Sequence, residues 1–135
     1  MEDRTIETAC SLLRFGLGIS TFLAGADKFT NLLADWEEYI APQASDTLPI
    51  SNTNFMRLGG IVEMAVGAGM LSRHTRPFSY VASAWLMAIA GNLVLNGDYD
   101  IAVRDVNLGL AAFVLGKLSA RREQMTAELP RIKAA

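Results

Sequence analysis

Residues 77–97, PFSYVASAWLMAIAGNLVLNG, run through twenty-one positions without one charged side chain. A helix rising about 1.5 Å per residue spans, at that length, the roughly 30 Å hydrocarbon core of a bilayer. Working outward, three more apolar segments of helical length accompany it. Segment 8–26 carries only Arg14, 55–72 carries Arg57 and Glu63, and 101–119 carries Arg104, Asp105 and Lys117. None shows the strict alternation of a half-buried strand. Four apolar helices would also suit a soluble bundle, so glycine placement decides. Ten of the 11 glycines fall in the interior of these segments, with Gly97 closing one of them, and each interior glycine costs a soluble helix about 1 kcal/mol relative to alanine. In lipid, small residues instead let helix backbones approach closely. The expected fold is all-α, an integral membrane four-helix bundle.

The remaining composition fits one such domain in 135 residues, with 51% hydrophobic and 19% charged side chains and a mean hydropathy of +0.25. A net charge of −2 excludes a nucleic-acid module driven by bulk basic charge. The single cysteine, Cys10, excludes an intramolecular disulfide, a CxxC redox centre and a cysteine-ligated zinc site. The single histidine, His74, excludes paired-histidine haem ligation within one chain. No metal site and no intrinsic cofactor are expected.

Charge asymmetry orients the four spans. The N-terminus, the turn after the second span and the C-terminus share one side, with Arg4, Arg73, Arg76, Lys117, Arg121, Arg122, Arg131 and Lys133. The other side carries Asp35, Glu37, Glu38, Asp46, Asp98 and Asp100, with Lys28 and Arg57 at span edges. The positive-inside rule then puts both termini in the cytoplasm. The acidic start MEDRTIE predicts no cleavable signal, and the charged tail 121–135 is expected to fray.

The outer loop 29–54 is the one sizeable non-spanning piece. Phe29, Leu32, Leu33, Trp36 and Ile40 recur at helical spacing, which predicts a short amphipathic helix over 30–40 lying on the interface, with Trp36 and Tyr39 at headgroup depth. The alternative is a loop that covers the mouth of the bundle. Pro42 and Pro49 are expected to break the chain before the second span.

Ionisable groups at mid-span are expensive, about 2.5–3.5 kcal/mol on insertion scales, and should face inward and find partners. Arg14, Gly18, Thr21, Gly25 and Lys28 form one stripe of the first span, and Gly60, Glu63 and Gly67 share a face of the second. Trp85, Ala88, Asn92 and Asn96 line up on the third, and Asp105, Gly109, Ala112 and Gly116 on the fourth. An outer cluster is expected from Asp27, Lys28, Arg57, Asn92, Asn96, Asp98, Asp100, Arg104 and Asp105. Deeper in, Arg14 and Glu63 are expected to form an ion pair, and Arg104 with Asp105 a cation–carboxylate pair at the mouth. Such charges either fix helix register or line a polar pocket that holds a small ligand or quinone head group, or relays protons. In the second case Glu63 and Asp105 carry protons, and Arg14, Lys28, Arg57, Asn92 and Arg104 contact the ligand.

Other side chains read more simply. His74, in the turn SRHTRP, is a solvated histidine; Cys10 is a small buried residue; the methionines pack. Gly16-x-Gly18 lacks the preceding strand and the third glycine of a dinucleotide loop.

Three motifs carry a family resemblance. They are LLRFGLGISTFLAGADKF at 12–29, with Arg14, Gly25, Lys28 and Phe29; RLGGIVE at 57–63, ending in Glu63; and AVRDVNL at 102–108, with Arg104 and Asp105. In that order and spacing the chain, from about residue 10 to 120, resembles the DoxX family of small four-span membrane proteins, related to the DoxD subunit of thiosulfate:quinone oxidoreductase. The resemblance implies a membrane subunit that couples oxidation of sulfur compounds or thiols to the quinone pool. As an enzyme it would be an oxidoreductase subunit of the thiosulfate:quinone type, with quinone as its ligand. The competing expectation is a non-catalytic scaffold or chaperone subunit with structural ion pairs only. Either way the bilayer is one partner, and a second protein or another copy of the chain is the other.

Overall fold

The computed structural model describes residues 2–134, and among them the fold is helical without a strand. Four long helices, α1 (Glu2–Asp27), α3 (Asn52–Leu71), α4 (Thr75–Asn96) and α5 (Tyr99–Ala134), are joined by one long connection and two tight turns. The connection holds a 3-10 turn over Trp36–Tyr39 and the short helix α2 (Pro42–Thr47). Segments over Arg4–Asp27 and Thr75–Asn96 are long and apolar enough to cross a membrane. The polar residues of α3 and α5 keep those two helices below that measure.

Glycine sets the tightest crossing. A Cβ at Gly25 would lie 2.5 Å from the Gly60 carbonyl oxygen, and one at Gly67 would lie 2.7 Å from that of Gly18. Gly18 thus faces Gly67 and Gly25 faces Gly60, so α1 and α3 run antiparallel with their backbones almost touching. On the other side α4 and α5 pack antiparallel, with the Tyr80 ring over Gly116 and Met87 over Gly109. Tyr80 meets Phe113 edge-on at 5.6 Å. The ring closes through α3 against α4 and α1 against α5, around a core of Cys10, Leu17, Val66, Met70, Ala82, Ala112 and Leu115.

Helix ends follow local chemistry. Ser51 caps α3 by accepting from the Asn54 amide at 3.2 Å. Gly97, at φ 92°, ends α4 in the left-handed region. The Asp98 amide then reaches back to the Leu93 carbonyl at 2.9 Å, closing a Schellman motif.

Two expectations need correction. The amphipathic helix over 30–40 does not form: only Trp36–Tyr39 turns, and Pro42 starts α2 at its first turn instead of breaking the chain. The reason is tertiary. Asn92 accepts from the Ala41 amide at 3.0 Å and donates to the Tyr39 carbonyl at 2.6 Å, while Asn96 donates to the Glu38 carbonyl at 2.9 Å. These bonds pull the connection across the bundle end and bury Ile40 and Ala41, which is the covering-loop alternative. The frayed tail is the second correction, since α5 continues to Ala134. Asn92→Ala should lower stability by about 1–3 kcal/mol, the usual loss when buried backbone partners are stranded. Amide exchange at Ala41 should quicken with it; unchanged exchange there would count against the latch.

Apolar side chains face outward as well as inward. Leu12, Phe15, Ile19 and Leu23 on α1, Leu58 and Ile61 on α3, and Val103 and Leu110 on α5 face outward, Leu12 at 69% exposure. Asp27, Glu63 and Asp105 are each 5% exposed or less.

Candidate functional site

The glycine crossing decides which charges meet. With Gly25 opposite Gly60, Lys28 lies just beyond the crossing and Glu63 just short of it. Side chains on a helix lean toward its N-terminus. In an antiparallel pair, Lys28 therefore leans down toward Glu63 as Glu63 leans up toward it. Lys28 Nζ donates to Glu63 Oε2 at 2.6 Å, with the two side chains 8% and 6% exposed. Trp85 Nε1 of α4 donates to the other carboxylate oxygen at 3.2 Å. Glu63 thus ties α1, α3 and α4 together.

The pair is roofed by the connection. Lys28 Nζ sits 4.0 Å from the centroid of the Trp36 ring, a cation–π contact in a largely dry site. The Trp36 Nε1 donates to Asp27 at 2.8 Å. Asp27 also accepts from the Thr30 hydroxyl and the Leu32 and Leu33 amides, each at 2.9 Å. Asn31, at φ 51°, turns the chain out of α1 at this point, and the Asp27 carboxylate then gathers the amides that follow. The roof is held by the residue next to the lysine it covers.

The expected Arg14–Glu63 ion pair is absent. Arg14 donates through Nε to the Met70 carbonyl at 3.2 Å and through Nη2 to that of Leu71. The lean of the side chains again explains this, because Arg14 tilts away from Glu63 and Glu63 away from Arg14. Some eight residues of α1 separate Arg14 from the level of Glu63, about 12 Å along the axis. Arg14 instead meets the orphan carbonyls at the C-terminus of α3, where a guanidinium also opposes the negative end of the helix dipole.

The expected outer cluster divides into three. Lys28, with Asp27 beside it, joins Glu63, which was expected deeper, in a buried cluster. Asn92 and Asn96 hold the connection. Arg104 and Asp105 pair as expected, Arg104 Nη2 to Asp105 Oδ1 at 2.8 Å, with the carboxylate buried and the arginine 59% exposed. Arg57 is exposed and makes no hydrogen bond or ion pair among the described residues. Ala88, expected to share the inner face of the third span, points outward. His74 is exposed; Cys10 is buried, with its Sγ 3.6 Å from Ser119 Oγ. Among the described residues no group of three His, Cys, Asp or Glu side chains could hold a metal ion.

Two tryptophans complete the site without having been singled out from sequence as site residues. A buried indole N–H needs an acceptor, and Trp85 shares a helix face with Asn92. That combination was the available signal for Trp85. Trp36 had none, because its position depends on how the connection folds.

Chemically, the arrangement is a saturated ion pair. Both Glu63 oxygens have donors, and among the described residues no buried side-chain polar atom lacks a partner. Compared with known proteins, the chain matches no family model, no curated protein and no solved structure.

Proposed function

We propose that the chain is a four-span integral membrane subunit of the DoxX type, placed with both termini in the cytoplasm. In a quinone-coupled redox system it would supply architecture and docking while a partner carries the chemistry. The observation that carries this reading is the apolar outward surface of the bundle around a closed Lys28–Glu63–Trp85 cluster. Large exposed apolar area needs a covering, and a buried ion pair fully met by donors suits a register lock. Lys28 and Glu63, taken from two of the three motifs that carry the DoxX likeness, are bonded to each other.

A second reading keeps quinone at the Lys28–Glu63 pair. It is favoured by one observation, that a connection segment, through Trp36, covers the pair where a packed helix could have done so. Lifting that roof would expose a cation and a proton carrier together.

Two measurements test these readings. In a Cys10→Ser background, Asp46→Cys should react with a membrane-impermeant maleimide in intact cells and His74→Cys should not; the reverse pattern, or labelling of both, refutes the topology. Protein purified in mild detergent should bring down a stoichiometric partner, and thiosulfate-dependent quinone reduction should stay with that complex. Turnover should survive in Lys28→Met/Glu63→Met. Turnover lost from a fully assembled complex would favour the second reading.

A further inference from the structure

At the end of the bundle remote from the Lys28–Glu63 pair, a cleft of about 620 Å³ opens between α1, α5 and the α3–α4 turn. Its floor is the buried Cys10–Ser119 contact. Three arginines line it, Arg14 from α1, Arg73 from the turn and Arg122 from α5. Arg14 is anchored through Nε and Nη2 to the carbonyls of α3, which leaves Nη1 for a ligand. Arg73 and Arg122 are exposed and join no ion pair among the described residues. The carboxylate in the lining, Glu123, is already engaged by Arg76 at 3.2 Å.

We propose that this cleft binds a phosphate-bearing anion. Three arginines from three separate parts of the chain line one cleft, and the neighbouring carboxylate pairs with a fourth arginine outside the lining. Guanidinium forks match phosphate oxygens in charge and geometry. The hydroxyls present add acceptors more than donors, since Ser72 and Thr75 donate to helix carbonyls, so the arginines carry the binding. The volume lies within the range of small-molecule sites and far exceeds a bare phosphate ion, leaving room for the group the phosphate is attached to. Two sources share that chemistry. One is the headgroup of an anionic phospholipid, which rests on the membrane reading above because the cleft lies where the apolar surface gives way to arginine. The other is a soluble phosphate ester, which does not depend on it.

The test uses the full chain. Calorimetric titration with glycerol 3-phosphate in detergent measures the soluble arm. Native mass spectrometry from phosphatidylcholine nanodiscs, with and without phosphatidylglycerol, measures the lipid arm. Binding in at least one arm is expected, and it identifies the source. Arg73→Gln/Arg122→Gln should weaken it by on the order of tenfold or more for each arginine lost. Arg4→Gln/Arg121→Gln removes the same charge from the same end but outside the cleft, and should leave it unchanged. Equal weakening by both variants, no weakening by either, or no binding in either arm overturns the proposal. The maleimide pattern of Asp46→Cys and His74→Cys reports the topology separately, so an empty cleft and a wrong membrane placement are distinguishable.

Discussion

Glu63→Ala should lose about 3–5 kcal/mol of stability, the usual result of removing one partner from a buried ion pair. The size follows from what is left behind. Lys28 Nζ keeps the Trp36 ring at 4.0 Å but loses its carboxylate at 2.6 Å, and Trp85 Nε1 loses its acceptor. An ammonium and an indole N–H would then both be stranded in a site with little access to water. Lys28→Met should be milder, because Glu63 keeps the Trp85 Nε1 donor at 3.2 Å. The double variant Lys28→Met/Glu63→Met should recover most of the loss, since an apolar pair of similar volume strands only the indole. Chemical denaturation in detergent of the two single variants and the double one, treated as a thermodynamic cycle, checks this. Strict additivity of the two single losses would mean that the pair is not coupled.

The same cycle shows what sequence could and could not reveal. The charged residues of α1 and α3, and the faces on which they lie, follow from helical spacing, and Gly18, Gly25, Gly60 and Gly67 mark the face of approach. The choice of partner does not follow from depth alone. Depth estimated from sequence leaves both Arg14 and Lys28 as candidate partners of Glu63, and the lean of side chains in an antiparallel pair separates them. Arg104 and Asp105 were easier because adjacent residues bring no register question. The connection was illegible for another reason. Its backbone is satisfied by Asn92 and Asn96, residues some fifty positions away, so its apolar spacing suggested a helix that tertiary bonds override. In α5, hydropathy marks where apolar character ends near Ser119, whereas the backbone stays helical to Ala134. Falling hydropathy locates a boundary of environment and says nothing about where the hydrogen-bond ladder stops.

Gly25→Val and Gly16→Val should differ sharply although both lie on α1. A Cβ at Gly25 meets the Gly60 carbonyl oxygen at 2.5 Å and both Glu63 Cβ and the Met64 amide at 2.8 Å. Two of these are backbone atoms on a neighbouring helix, so no rotamer change relieves the clash and α1 must move off α3. Separating those helices also stretches Lys28 from Glu63, so the overpacking loss of about 1–3 kcal/mol would be joined by part of the ion-pair loss. At Gly16 nothing lies within 4 Å, and the added side chain enters the outward face between Phe15 and Ile19. There alanine should raise helix stability by up to about 1 kcal/mol and valine should be tolerated. Thermal unfolding of Gly25→Ala, Gly25→Val, Gly16→Ala and Gly16→Val in one detergent gives the comparison. A loss at Gly16 equal to that at Gly25 would mean that the α1–α3 crossing is not the close contact of the fold. A loss at Gly25 that is abolished in the Lys28→Met/Glu63→Met background would mean that the ion pair, and not the backbone approach, sets the helix spacing. The expected result is that most of it remains, because carbonyl oxygen and Cβ still occupy the same space.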